Sequence, residues 1–226
     1  MPEFSPEYRC ITVDQRGFGQ SPDVPGGPGP TELAADALAL LDHLKVERAA
    51  LIGQSMGGRA VVRSAVAQPA RLWAAVLTNT IGNLTSPELV SLRQSLATSR
   101  PAASADLSKS AIGAGFQQNN RAGSFLYAQI LGLNPPRAAD FTRSLNMLPT
   151  PLEDYARSGV PTLFITGDED AISWPEPSQL AHSQLPGSRL LRVPGAGHSV
   201  YFERPEVFNQ AVREFLATHR PDRASQ

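Results

Sequence analysis

The stretch Gly53-Gln54-Ser55-Met56-Gly57-Gly58 decides the fold, because it sets a serine among glycines where a strand turns into a helix. A short apolar run, residues 49–52, precedes it and predicts a buried strand, and residues 56–68 after it have helical spacing. Gly53 and Gly57 are expected to leave room for a tight turn from which the serine hydroxyl projects, because a Cβ at either position would crowd it. We therefore predict that Ser55 is a nucleophile and that the backbone N–H of Met56, at the helix N-terminus, stabilises a developing oxyanion.

A serine nucleophile needs a base, and the chain has four histidines. His198 ends the stretch Pro194-Gly195-Ala196-Gly197-His198, a glycine-rich loop after the last predicted strand, where a side chain can reach over the edge of a sheet. His43 and His182 lie within helical patterns and are expected on helix surfaces, and His219 lies close to the C-terminus. His198 is therefore the predicted base.

The acid that orients the base is expected after the fourth predicted strand, where the sequence reads Thr166-Gly167-Asp168-Glu169-Asp170. Three consecutive carboxylates cannot all face one imidazole, and Asp170 is far enough past the strand to bend back. We favour Asp170 and keep Asp168 as the second candidate, with the other carboxylates in a solvated acidic turn. The resulting chain order is Ser, Asp, His.

Working outward from these residues, strands and helices alternate along the chain. Strands are predicted at residues 8–13, 49–52, 73–77, 160–166 and 189–193, and helices at 31–44, 56–68, 176–184 and from Pro205 onward. This alternation predicts an α/β fold with a mostly parallel sheet of about five strands and helices on both faces. Residues 84–157 break it with several amphipathic pieces and no clear strand. We interpret 1–83 and 158–226 as two parts of one core domain and 84–157 as a helical insertion.

Composition excludes several classes of function. The chain of 226 residues has 20 Lys plus Arg against 21 Asp plus Glu, a net charge of −1, so it has no basic excess for nucleic acid. A single cysteine, Cys10, no long apolar run and no signal-like N-terminus lead us to expect a cytoplasmic protein that does not act at a membrane. Gly17 and Gly19 do not open a dinucleotide-binding loop, because Pro22 stands where the third glycine is required. No Cys/His cluster has zinc spacing, so we expect no metal and no cofactor.

Taken together, these motifs resemble the α/β-hydrolase superfamily. The matching stretches are residues 14–21 (DQRGFGQS), 53–58, 167–170 and 197–198, and they occur in the order of that superfamily. The resemblance implies that Ser55, Asp170 and His198 are nucleophile, acid and base, and that the helical insertion is a cap over the site. Residues 75–80 (AVLTNT) are similar to the branch of serine esterases that includes 3-oxoadipate enol-lactonases. The function implied is hydrolysis of a small carboxylic ester or lactone through an acyl-Ser55 intermediate.

The N-terminal region departs from this pattern. Similar hydrolases have two or three strands before the one predicted at residues 8–13, and a His-Gly loop there supplies the second oxyanion N–H. Only seven residues precede Tyr8, and the sequence contains no His-Gly pair. The sheet is then expected to lack the strand between 8–13 and 49–52. Either those two strands pair directly, or the exposed edge at 8–13 pairs with a second copy of the chain in a homodimer.

Two alternatives to the esterase stay open. A carbon–carbon bond hydrolase of the meta-cleavage type shares the triad but needs a cationic pocket for a dienoate carboxylate. The candidates for such a pocket are Arg59, Arg63, Arg121 and Arg143, each also explicable as a solvated surface charge. The missing oxyanion loop raises the other alternative, a weakly catalytic α/β-hydrolase-like protein that binds a ligand.

Overall fold

The computed structural model describes residues 3–22, 29–104, 106–133 and 148–221. The elements before the helical insertion are α1 (Pro30–His43), β1 (Ala49–Gln54), α2 (Gly57–Ala67) and β2 (Leu72–Thr78). The insertion contains β3 (Leu84–Thr85), α3 (Pro87–Ser99), α4 (Leu107–Ser110), α5 (Ala114–Asn119), α6 (Arg121–Gly132), β4 (Thr150–Pro151) and α7 (Leu152–Arg157). After it come β5 (Thr162–Gly167), α8 (Pro175–Gln184), β6 (Arg189–Val193), α9 (Val200–Glu203) and α10 (Pro205–His219). In the described part of the chain, no helix is both long and apolar enough to cross a membrane.

The main sheet is parallel, with the strand order β1-β2-β5-β6. Its central strand β2 is nearly continuously apolar because helices cover both of its faces, as a parallel sheet requires. Alternate residues of β2 point into two separate cores. One core joins Ala75 and Leu77 to α2, α7 and α8, and the other joins Ala74 and Val76 to the apolar face of α10. The predicted α/β architecture is therefore confirmed.

The strand predicted at residues 8–13 is wrong. Residues 9–15 are not paired with any strand among the described residues, so the main sheet of this part of the chain has four strands and β1 pairs only with β2. Tyr8 instead stacks on Trp73, with ring centroids 6.4 Å apart, and Arg213 holds Glu3 and Glu7 against α10. These contacts fix the start of the segment beside α10, and direct pairing of 8–13 with β1 does not occur.

The open edge of the sheet is therefore that of β1. Ile52, in the middle of β1, has 46% of its surface exposed, which is unusual for a strand in a parallel sheet. A cavity of about 2350 Å³ adjoins this edge, and its lining includes residues 9–14 and the residues of β1. The backbone groups on this side of β1 thus face open space, as at any sheet edge.

The helical insertion leaves the core after β2 and returns before β5. Its two ends are joined by a short parallel pair, in which Leu84 of β3 lies opposite Thr150 of β4. Sequence periodicity did not reveal these strands because each is only two residues long. Side chains cap several of its helices: the Ser86 Oγ accepts from the N–H of Leu89, and the Asn120 Oδ1 accepts from the N–H of Gly123.

Candidate active site

Parallel strands in register bring the candidate residues to one edge of the sheet. Gln54 lies opposite Thr78 and Gly167 lies opposite Val193, so the carboxyl ends of all four strands meet there. Ser55 follows β1, Asp170 follows β5 and His198 follows β6. Ligands of open α/β sheets bind at this edge.

Ser55 has a backbone φ of +49°, a strained conformation for a residue with a side chain. Its own N–H donates to the carbonyl of Thr78 at 3.0 Å, and its carbonyl accepts from Gly58 N–H at 3.1 Å. A Cβ on Gly53 would lie 2.6 Å from the backbone of Gly57, so this position requires glycine. Strain of this kind is typical of functional sites, and here it projects the serine from the turn.

The space around the two glycines after the serine shows which of them the turn requires. A Cβ on Gly57 would meet only the Gln15 side-chain nitrogen, at 3.8 Å, which is an ordinary contact. A Cβ on Gly58 would lie 2.4 Å from the Thr80 Cγ2. The steric requirement therefore lies at Gly53 and Gly58, and the prediction that Gly57 is needed for space was wrong.

His198 lies in the predicted loop and is 5% exposed. Its Nε2 is 2.7 Å from the Ser55 Oγ, and its Nδ1 is 2.9 Å from the Asp170 Oδ2 and 3.0 Å from Oδ1. The loop is also held by its backbone carbonyl at His198, which accepts a hydrogen bond from the Gln54 side-chain amide at 3.0 Å. The structure thus brings the predicted nucleophile, base and acid into one hydrogen-bonded chain.

Of the three consecutive carboxylates, Asp170 alone reaches the imidazole. It is buried, and its Oδ1 accepts from the N–H groups of Ile172 and Ser173 at 2.9 and 2.8 Å. Asp168 points to the surface and pairs with Arg192 at 2.7 Å. Glu169 is exposed. The preference for Asp170 over Asp168 thus agrees with where the structure places the two carboxylates.

Sequence reasoning missed Asn79, which directly follows β2. Asn79 is fully buried at a φ of +52°, and its Nδ2 donates to the Asp170 Oδ2 and to the Gly197 carbonyl, both at 3.0 Å. It therefore joins the acid to the loop that carries the imidazole. The available signal was its position at the end of the strand next to β1, where side chains of this sheet converge.

The other three histidines lie away from this cluster. His43 is exposed in the last turn of α1, and the His182 Nδ1 lies 2.8 Å from the Ser188 Oγ. The His219 Nδ1 lies 2.8 Å from the Phe215 carbonyl oxygen at the end of α10. None of them contacts Ser55.

Met56 occupies the N-cap of α2, where its N–H lies next to the Ser55 side chain. No hydrogen bond between described residues uses this N–H, and it is thus available as an oxyanion donor of the expected kind. Phe18, in the loop of residues 14–22, and Met56 both pack against the buried side chains of Leu33 and Ala60. The sequence supplies no second donor, and the described residues do not identify one.

The cavity along β1 also contains Ser55 and His198. Much of its wall around the helical insertion is apolar, formed by Ile81, Leu107, Ala111, Tyr127, Ile172 and Trp174. The cationic residues in its lining include Arg59 of α2 and Arg93 of α3. Burial lowers the pKa of both guanidinium groups, and the charge of Arg93 lowers the pKa of Arg59 further.

The other arginines named from the sequence do not form this part of the wall. Arg63 is bonded to Thr31 at 3.4 Å on the exposed side of α2, and Arg121 is exposed at the start of α6. Arg143 lies outside the described residues. Within the described ranges, no group of three or more His, Cys, Asp or Glu side chains is arranged to hold a metal ion.

Comparison with known proteins agrees with the fold. The model of the alpha/beta hydrolase family matches residues 1–211, and the chain belongs to that family. The structure of an esterase from Thermogutta terrifontis, with malate bound, is similar at a TM-score of 0.82 and 28% sequence identity. The match covers 97% of this chain and 84% of the esterase chain.

Curated relatives are similarly distant and differ in their named activities. BpoC of Mycobacterium tuberculosis, which carries the name of a non-heme bromoperoxidase, is 29% identical over 93% of this chain and 84% of its own length. A 2-hydroxy-6-oxononadienedioate hydrolase of Cupriavidus pinatubonensis is 27% identical over 92% of this chain and 76% of its own length. The chain is a hydrolase by family, and these names do not agree on one substrate.

Proposed function

We propose that this protein is a serine hydrolase that cleaves a carboxylic ester or lactone through an acyl-Ser55 intermediate. The observation that carries the proposal is the continuous hydrogen-bonded chain from the Ser55 Oγ through His198 to Asp170, with distances of 2.7 and 2.9 Å. It is supported by the strained serine in a strand-to-helix turn, the geometry that exposes a nucleophile in this fold. The similarity to an esterase at a TM-score of 0.82 adds to it.

The proposed mechanism follows from which atoms face each other. The Ser55 Oγ attacks the ester carbonyl carbon while the His198 Nε2 takes the hydroxyl proton, and the carbonyl oxygen becomes an oxyanion near Met56 N–H. Asp170 keeps the proton on Nδ1, so that Nε2 is free to accept. Collapse expels the alcohol, which takes the proton from Nε2. Water then attacks the acyl-serine, again through His198, and releases the acid.

The side chains that line the cavity indicate the chemical class of the substrate. Aromatic and aliphatic side chains of the helical insertion, together with Ile172 and Trp174 just before α8, favour an apolar acyl or ring group beside Ser55. We propose small to medium acyl esters and lactones as the substrate class.

Hydrolysis of p-nitrophenyl acetate and butyrate tests the proposal. The wild-type protein is expected to release p-nitrophenol catalytically, and Ser55→Ala is expected to abolish this turnover. Ser95→Ala, an exposed serine of α3, is the matched control and should behave as wild type. Turnover that survives Ser55→Ala would contradict the acyl-serine mechanism.

The second candidate is a carbon–carbon bond hydrolase, and Arg59 and Arg93 in the cavity wall favour it. Two guanidinium groups there are suited to binding the carboxylate of a dienoate substrate. The similarity to a 2-hydroxy-6-oxononadienedioate hydrolase points the same way. Turnover of a coloured vinylogous diketoacid without ester hydrolysis would favour this candidate over the first.

A further inference from the structure

Glu203, at the end of α9, is a buried carboxylate that the mechanism above does not use. It is 4% exposed and accepts hydrogen bonds from three backbone N–H groups. Its Oε1 accepts from Gly197 at 2.9 Å and from Ser199 at 3.3 Å, the two residues on either side of His198. Its Oε2 accepts from Gly197 at 3.0 Å and from Gly113 at 2.8 Å.

Gly113 belongs to the helical insertion, directly before α5, so Glu203 joins the insertion to the loop of the imidazole. The two backbones touch at this point: a Cβ on Gly197 would lie 2.4 Å from the Gly113 nitrogen. A Cβ on Gly113 would lie 2.8 Å from the Glu169 Oε2, and 3.1 Å from both the Gly197 nitrogen and the Glu203 Oε2. Neither side has room for a side chain at this contact.

A second contact links the same two parts of the chain on the other side of His198. The Tyr127 hydroxyl, from α6 of the insertion, lies 2.7 Å from the Ser199 Oγ. Burial raises the pKa of Tyr127 to about 12, so this hydroxyl keeps its proton at neutral pH. Tyr127 also packs edge-on against Phe202, with ring centroids 5.0 Å apart, one residue before Glu203.

We propose that Glu203 is a positioning residue through which the helical insertion sets the orientation of His198. The residues before and after the imidazole are each bonded to Glu203, and the insertion bonds to Glu203 through Gly113 and to Ser199 through Tyr127. The insertion therefore acts on the base as well as forming the wall of the cavity. This inference rests on the proposed function, because it concerns how the proposed base is held.

A carboxylate suits this position because the groups that hydrogen-bond to it, those of Gly113, Gly197 and Ser199, are backbone N–H donors. Glutamine would place an NH₂ group at one of the two oxygen positions, where it would face Gly113 N–H or the N–H groups of Gly197 and Ser199. Either arrangement loses at least one acceptor and sets two donors against each other. Because His198 must stay within hydrogen-bond reach of Ser55, a displacement of about 1 Å can cost about 100-fold in rate.

The first test acts from the insertion side only. Gly113→Ala adds a methyl group at the contact with Gly197 and Glu203, where the exposed Glu169 side chain also lies within 2.8 Å, at an ordinary φ of −62° that alanine adopts without strain. We expect kcat for p-nitrophenyl butyrate to fall about 10- to 100-fold, with KM changed less than threefold. Gly115→Ala is the matched control, since its nearest contact would be 4.0 Å away, and it should retain wild-type kinetics.

The second test removes the acceptor itself. Glu203→Gln is expected to lower kcat to a similar extent and to shift or broaden the far-downfield proton resonance of the His198 Nδ1–H, which reports its bond to Asp170. Glu206→Gln, an exposed glutamate three residues on, is the control and should change neither. Circular dichroism and thermal unfolding establish that each variant is folded. If Glu203→Gln does not fold, the kinetics of Gly113→Ala alone test the positioning role.

The outcomes separate this inference from the proposed function. A wild-type protein without esterase activity would overturn the proposed function. An active wild type with unchanged kcat and Nδ1–H resonance in folded Gly113→Ala or Glu203→Gln would overturn the positioning role alone. A fall in kcat matched by an equal fall in the Gly115→Ala control would also contradict it, because the effect would then not depend on the contact with Glu203.

Discussion

Replacing Asp170 by asparagine should remove nearly all activity without unfolding the site, and the hydrogen bonds around the carboxylate explain why. The Oδ1 of Asp170 accepts from two backbone N–H groups, those of Ile172 and Ser173, so the asparagine NH₂ cannot occupy that position. The NH₂ must then take the Oδ2 position, where it faces the Asn79 Nδ2 and the His198 Nδ1. The NH₂ group then stands at the nearer of the two oxygen positions, 2.9 Å from Nδ1 against 3.0 Å for Oδ1, and this favours Nδ1 as an acceptor with the single imidazole proton on Nε2.

A proton on Nε2 faces the Ser55 hydroxyl, and the imidazole can no longer accept the serine proton. In another serine hydrolase the corresponding change, which also gives the wrong tautomer, lowers kcat about 10⁴-fold. That factor corresponds to about 5 kcal/mol of barrier. We expect a loss of this order here, because Asp170 is buried and its surroundings fix which way an amide must turn.

The assay is kcat for p-nitrophenyl butyrate in Asp170→Asn, with Asp168→Asn as the matched control. Asp168 pairs with Arg192 at the surface, and its replacement should change kcat less than about twofold, since exposed ion pairs contribute little. An Asp170→Asn protein within tenfold of wild type would refute the tautomer reasoning. An equal loss in Asp168→Asn would refute the assignment of the acid.

Three further predictions concern the frame of the site and the sheet edge. Gly53→Ala should lower the free energy of unfolding by about 1–3 kcal/mol in thermal or denaturant unfolding, because its Cβ would meet the Gly57 backbone at 2.6 Å; Gly57→Ala, whose Cβ would make only an ordinary contact with the Gln15 side chain, should be near neutral. Asn79→Ala should lower both kcat and stability, the latter by about 1–3 kcal/mol, because the Gly197 carbonyl and Asp170 lose a buried donor; stability equal to wild type in chemical denaturation would contradict this. The unpaired edge of β1 should make the chain self-associate, so light scattering during size exclusion should give at least twice the mass of one chain; a monomer that is stable on dilution would contradict this.

Much of the fold could be predicted because its signals are local. The strand run before Gly53, the helix after it and the periodic face of α10 each depend on residues close together in the chain. The strand predicted at residues 8–13 failed for the opposite reason. Its β-branched composition favours a strand, but a strand exists only where a neighbour pairs with it, and no described strand pairs with this segment.

The candidate site divides in the same way. Ser55 and His198 stand in glycine-rich turns that sequence alone makes conspicuous, and Asp170 could be ranked above Asp168 by its distance from the strand. Asn79 and Glu203 could not be found so easily, because their roles depend on partners 91 and 90 residues away in the chain. Arg93, which the sequence did not single out, came to the cavity wall only through the packing of α3.

The most direct test of the account is covalent labelling of Ser55 by a fluorophosphonate, which reacts only with an activated serine and releases fluoride. The account predicts one label per chain, located by mass spectrometry on the peptide that contains Ser55, absent in Ser55→Ala and strongly slowed in His198→Ala. A folded wild-type protein that stays unlabelled, or that is labelled at another residue, would contradict the central claim and favour a ligand-binding protein with an inert site.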